Sequence, residues 1–130
     1  MVEQGLRAVI ASSMSDRVNV TKRTIFLSGS HHSLTPDLAF GDAAVGDVKY
    51  KLWPGDWDRG DLYQLVTFAT GFGVTRGVRV GFSPTPHGPS PVRVGPVGLA
   101  AVDWWCDASL DPMEAERDLV SRLRDWWAAA

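Results

Sequence analysis

Two carboxylates and a lysine stand close together in this chain: Pro36-Asp37, then Asp47-Val48-Lys49 ten residues further on. The flanking stretches, 34–40 and 45–51, read as two β-strands joined by a short Gly/Asp/Ala turn. Side chains two apart on a strand share a face, so Asp47 and Lys49 point the same way. With the turn centred on Asp42, Asp37 lies across the ladder from Asp47, the Cβ atoms roughly 5 Å apart. Like charges so placed destabilise a sheet and call for a compensating group. A divalent cation held by oxygen ligands, with the lysine beside it, is one such group, and the chemistry it supports is hydrolytic. The plainer alternative is a solvated hairpin face whose ion pair contributes little.

The residues downstream narrow the chemistry. After Asp47-Val-Lys-Tyr-Lys51 and a connector comes Asp61-Leu-Tyr-Gln-Leu-Val-Thr-Phe-Ala69. Pro36-Asp37 and Asp47-Val48-Lys49 resemble the two halves of the PD-(D/E)xK nuclease signature. With the downstream helix text, the series resembles the nuclease domain of the McrC family, the cleavage subunits of McrBC modified-cytosine restriction systems, whose strand reads D-x-K-Y-K and whose next helix carries D-L-Y-Q-L. The resemblance spans residues 34 to 82.

The resemblance implies a restriction-endonuclease-like α/β core, a mixed central sheet flanked by helices, and a metal-dependent endodeoxyribonuclease. It implies one or two Mg²⁺ ions, with Mn²⁺ as a substitute, on Asp37, Asp47 and the Val48 carbonyl, all hard oxygen donors. Lys49 would then stabilise the pentavalent transition state or orient the attacking water. Gln64 falls where the family places a glutamine beside the active site, and Phe68 stands where a tyrosine usually follows, removing a hydroxyl. Many relatives add a glutamate from the first helix, and Glu3 is the acidic residue in that stretch. The implied partners are DNA and a nucleotide-hydrolysing McrB-like subunit. A catalytically inactive nuclease-fold module that mediates protein or DNA interaction is the alternative, motivated by Phe68, the weak basic charge and the tryptophans.

Composition fits one soluble globular domain over residues 1–130, with 45% hydrophobic and 22% charged residues. No apolar run approaches the ~20 residues of a membrane span, and Glu3 and Gln4 interrupt any signal-peptide core, so the expected compartment is the cytoplasm without membrane association. Cys106 is alone, which excludes an internal disulfide and a thiolate metal site. A formal charge of −2 is low for unaided DNA binding, which predicts dependence on a partner or a local basic patch. Lys22 and Arg23, Lys49 and Lys51, and Arg76 and Arg79 are the candidates for that patch.

The elements that must position these groups are set by periodicity. Val2, Leu6, Val9 and Ile10 predict an amphipathic helix over residues 2–14, starting without an N-cap. In the McrC family a partner-binding region precedes the nuclease domain, so the expectation is a stand-alone domain or one truncated at its N-terminus. Residues 19–27 read as a first strand that completes a meander with the Asp37 and Asp47 strands. Leu62, Leu65, Val66 and Ala69 form the buried stripe of a helix that Gly71 and Gly73 terminate, with Gln64 and Phe68 on its flank. Residues 78–82 return as a strand, 83–91 form a proline-rich connection, and 91–106 read as a strand pair or an edge strand. Asp111 as N-cap, Pro112 and Glu114 open a last helix with Leu119, Val120, Leu123, Trp126 and Trp127 on its apolar face.

Of the remaining residues, His31-His32 lacks the third ligand a zinc site needs. The doublets Trp104-Trp105 and Trp126-Trp127 suit core packing, with an exposed apolar patch expected where one ring is steered outward. Trp53 and Trp57, in the connector beside the site, are placed to stack on a base, and Lys51 to contact phosphate.

Overall fold

The turn between Phe40 and Ala44 sets the register of the sheet. Gly41 takes φ 56°, a conformation that costs a residue without Cβ nothing, and the Ala43 N–H closes the turn on the Phe40 carbonyl at 3.1 Å. The flanking segments pair antiparallel with Leu38 opposite Gly46, Ala39 opposite Val45 and Phe40 opposite Ala44. Continuing that register by one residue sets Asp37 opposite Asp47, as the spacing predicts.

The structure is a computed structural model and describes residues 3–52, 57–83, 90–105 and 112–129. In chain order its elements are α1 (Glu3–Met14), β1 (Val20–Thr21), β2 (Ile25–Phe26), β3 (Ser33–Leu34), β4 (Leu38–Phe40), β5 (Ala44–Leu52), α2 (Arg59–Phe72), β6 (Arg76–Ser83), β7 (Val92–Val94), β8 (Val97–Trp105) and α3 (Pro112–Ala128). Six strands form a mixed sheet in the order β1-β4-β5-β6-β8-β7. The pairs β5·β6 and β6·β8 are parallel, and the outer pairs are antiparallel. Parallel neighbours require a crossover, and α2 supplies the one between β5 and β6. Among the described residues, no helix is long and apolar enough to cross a membrane.

Each sheet face has its own core. On one face Leu6, Ile10 and Met14 of α1 and Ala115, Leu119 and Leu123 of α3 pack on Leu38, Phe40, Val48, Val78, Val80 and Val102. On the other, Leu65, Phe68 and Ala69 of α2 pack on Val45, Val97 and Leu99. Burial on this scale contributes roughly 1.5–3 kcal/mol per large aliphatic side chain. Trp126 and Trp127 lie against Phe40, with ring centroids 5.1 and 6.0 Å away, so this doublet is core packing and not an exposed patch. Trp104 and Trp105 lie in β8 with side chains outside the described residues, as are Cys106 and Asp111 altogether.

Two expectations need correction. Residues 19–27 do not form one strand: β1 joins the main sheet, whereas β2 pairs with β3 in a separate two-stranded sheet. The break falls where Arg23 turns back to the Gly41 carbonyl and the Asp42 carboxylate and where the Thr24 hydroxyl meets that of Thr35, leaving Phe26 77% exposed. Nor does Gly71 terminate α2. It lies inside the helix, and Gly73 is the stop, with φ 70°, its N–H on the Thr70 carbonyl and the Val74 N–H on that of Ala69.

Candidate active site

β5 alternates between the two cores. Val48 faces the α1/α3 side, so Val45, Asp47 and Lys49 face α2. α2 opens beside them, with Asp58 as N-cap accepting the Asp61 N–H at 3.2 Å. That start fixes which α2 side chains face β5. Asp61 and Gln64, three residues apart and so on one face, both reach Lys49.

The Lys49 ammonium sits among three acceptors. Gln64 Oε1 and Asp47 Oδ2 are each 2.7 Å away and Asp61 Oδ1 is 3.5 Å away. Burial works against this charge, but hydrogen bonding and attraction from Asp47, joined by Asp61, outweigh it and hold the lysine pKa above its usual value. Asp37 completes the group from β4's leading edge, where its Oδ2 accepts the Val48 N–H at 2.9 Å. The facing carboxylates are thus compensated in part by the protein itself, through a backbone N–H and an ammonium. Two carboxylates, Asp47 and Asp61, still share one ammonium, an excess of one formal negative charge. Asp47 Oδ2, although close to Lys49, and Asp61 Oδ2 are both buried without a directed hydrogen bond.

The structure therefore brings together Asp37, Asp47, Lys49 and Gln64. Val48 contributes its backbone N–H to the site while its side chain lies in the opposite core. Phe68, expected on the flank of α2 near Gln64, is instead buried among Leu65, Ala69 and Leu99. Trp57 is half-buried, with its indole N–H donating to the Ser90 carbonyl at 2.8 Å and the Arg79 guanidinium 5.0 Å from its ring centre. Trp53 and the side chains of Lys51 and Glu3 lie outside the described residues. His31 and His32 are exposed in the β2–β3 loop.

Three charged residues of this face were not anticipated as a group: Asp61, Arg79 and Asp103, respectively 8%, 3% and 5% exposed beside an Asp47 at 4%. Arg79 pairs in register with Asp47 and donates Nη2 to Asp103 Oδ1 at 3.2 Å. Gly81 makes room for that pair, since a Cβ there would lie 3.1 Å from Asp103 Oδ1. Arg79 is therefore no part of a surface patch. Arg76 is spent similarly, on the Trp126 and Trp127 carbonyls and on the Trp126 ring 4.5 Å away, and Arg23 is paired with Asp42. The signal for Arg79 and Asp103 was a lone charge inside an apolar strand of a parallel, twice-covered sheet, where an isolated charge is too costly to stand unpaired.

Among the described residues, no group of three or more His, Cys, Asp or Glu side chains is arranged to hold a metal ion. A cavity of about 690 Å³, lined by Arg76, Val92, Leu99 and Trp126 among others, shares no residue with the Asp47 cluster.

Sheet order, parallel centre and flanking helices define a restriction-endonuclease-like α/β fold. The chain is similar, more particularly, to a chain in the Thermococcus gammatolerans assembly of McrB AAA+ hexamers with bound McrC, with a TM-score of 0.58 and 16% identity over 95% of this chain and 32% of that one. The likeness is a distant one, of fold, to McrC, and this chain spans about a third of the other's length. Neither a family model nor a curated protein sequence matches the chain.

Proposed function

We propose that this chain is a McrC-like nuclease-fold module that acts on DNA beside a nucleotide-hydrolysing, McrB-like partner. The fold likeness supports the module, and the association of McrC with McrB AAA+ hexamers supports the kind of partner. A net charge of −2 fits a domain that relies on others to hold DNA. Among the described residues no cluster of three or more metal-ligating side chains is arranged around an ion site, and Asp47 already has Lys49 as counter-ion.

Hydrolysis of DNA phosphodiesters is the finer reading, carried by one observation: Asp37, Asp47, Lys49 and Gln64 meet at the β5–α2 junction. The donor set is all oxygen and carries excess negative charge, which supports a divalent cation. Asp37, Asp47 and the Val48 carbonyl would hold Mg²⁺ or Mn²⁺, which supplies Lewis acidity toward water and phosphate. Lys49 steadies the negative charge that builds on the phosphoryl oxygens, and Gln64 keeps its ammonium in place. The test is nicking of supercoiled plasmid with Mg²⁺ or Mn²⁺. Wild type is expected to nick, and Asp47→Ala and Lys49→Ala to be inert.

The second reading, an inactive module that binds protein or DNA, makes a different forecast. Titration calorimetry would then find no Mg²⁺ binding that Asp37→Ala removes, and no nicking by wild type.

A further inference from the structure

An ammonium has three protons, and Lys49 has three acceptors around it. The acceptors differ in what else they are asked to do. Asp47 is the carboxylate that a bound cation would share, and its hold on Lys49 weakens to that extent. Asp61 and Gln64 belong to α2 and have no such second duty. Asp61 is also a costly residue to bury here, with one oxygen at 3.5 Å from Lys49 and the other without a hydrogen bond. Its place in the first turn of α2 favours the negative charge.

We propose that Asp61 is a positioning residue: with Gln64 it anchors the Lys49 ammonium to α2, so that Lys49 keeps its place when Asp47 is shared with a divalent cation. The catalytic consequence rests on the hydrolytic reading of the site; the anchoring does not. Arg79 is ion-paired with Asp103, although its Nη1 is buried without a hydrogen bond, and the cation that Asp61 meets is Lys49.

The anchoring is read without any turnover. In full-length protein labelled with ¹⁵N-lysine, an ammonium cross-peak survives only where hydrogen bonds slow proton exchange, and Lys49→Arg assigns it. With saturating Ca²⁺, wild type is expected to keep the Lys49 peak, Asp61→Asn to lose it and Asp61→Glu to regain it. A peak unchanged in Asp61→Asn overturns the proposal. In the nicking assay Asp61→Asn is expected to lower kcat about 10- to 100-fold, the cost of a misplaced catalytic group. KM and the calorimetric Mg²⁺ affinity should hold, and Asp61→Glu should recover most of the loss. A purely structural Asp61 would lower melting temperature and leave kcat per folded molecule unchanged. Wild type that never nicks sinks the hydrolytic reading, and the cross-peak then decides Asp61 alone.

Discussion

Asp47 and Lys49 meet at 2.7 Å, the aspartate almost wholly buried and the lysine side chain 27% exposed. Removing one partner strands the other. Lys49→Met is expected to destabilise the fold by about 3 kcal/mol, the usual cost of leaving a buried charge unpaired. Adding Asp47→Leu to that variant should recover part of the loss, because both charges are then gone. Urea unfolding at neutral pH measures this, and two losses that simply add would show that the groups do not interact.

The same pair sets a pH dependence. Burial lowers the Lys49 pKa, but the Asp47 and Asp61 carboxylates raise it by more, so the folded value lies above the usual 10.5. A raised lysine pKa stabilises the fold fully below the unfolded value and loses that contribution as pH rises through the folded one. Wild type should therefore lose stability above about pH 10.5 relative to Lys49→Met, with the gap constant through neutral pH. Urea midpoints of the two proteins that stay parallel up to about pH 11.5 would show that the pair does not stabilise the fold.

A divalent cation would relieve the excess negative charge of the site. Millimolar Mn²⁺ should raise the melting temperature, since ligand at a hundredfold its Kd stabilises by about 2.7 kcal/mol. Asp37→Ala should blunt the shift. Indifference of wild type to Mn²⁺ would count against a cation at this position.

How much of the fold and site was legible in the sequence depended on whether local spacing settled geometry. Asp37 and Asp47 could be paired because a short turn leaves one register, and that register is found. Gln64 was legible only through the resemblance of the D-L-Y-Q-L run, which implies a glutamine beside the site, and it is found on Lys49. Asp61 stood in the same D-L-Y-Q-L run, but its role depends on where α2 begins, and the Asp58 cap sets that. Arg79 and Asp103 lie 24 residues apart and meet only through β6·β8 pairing, which no local pattern encodes. The split of residues 19–27 was hidden for a related reason, since β-branched residues suit either sheet and the side-chain bonds of Arg23 and Thr24 decide.

The Arg79–Asp103 pair makes its own prediction. Asp103→Ala leaves a buried guanidinium unpaired and is expected to cost about 3–5 kcal/mol. Arg79→Met with Asp103→Leu should be much less damaging, because apolar replacement removes both desolvation penalties. Denaturant midpoints of the three variants test the order, and a double variant worse than Asp103→Ala would assign Arg79 a role beyond that partner.

Gly71 couples α2 to the β2–β3 hairpin. As an exposed residue inside a helix it should gain up to about 1 kcal/mol on change to alanine. The new Cβ, however, would lie 2.6 Å from Leu34 Cδ1 and 3.2 Å from Ile25 Cδ1, the side chains by which the hairpin rests on the helix. Both are ends of flexible side chains on a two-residue ladder, so the hairpin gives way before the helix does. Gly71→Ala is therefore expected to leave the melting temperature nearly unchanged while speeding amide exchange at Ile25, Phe26, Ser33 and Leu34. Gly73→Ala should behave oppositely: nothing crowds its Cβ, but φ 70° penalises alanine by about 1–2 kcal/mol and the whole domain melts earlier. Unchanged hairpin protection in Gly71→Ala, measured by hydrogen exchange, would show that the hairpin is held by contacts other than Leu34 and Ile25 on α2.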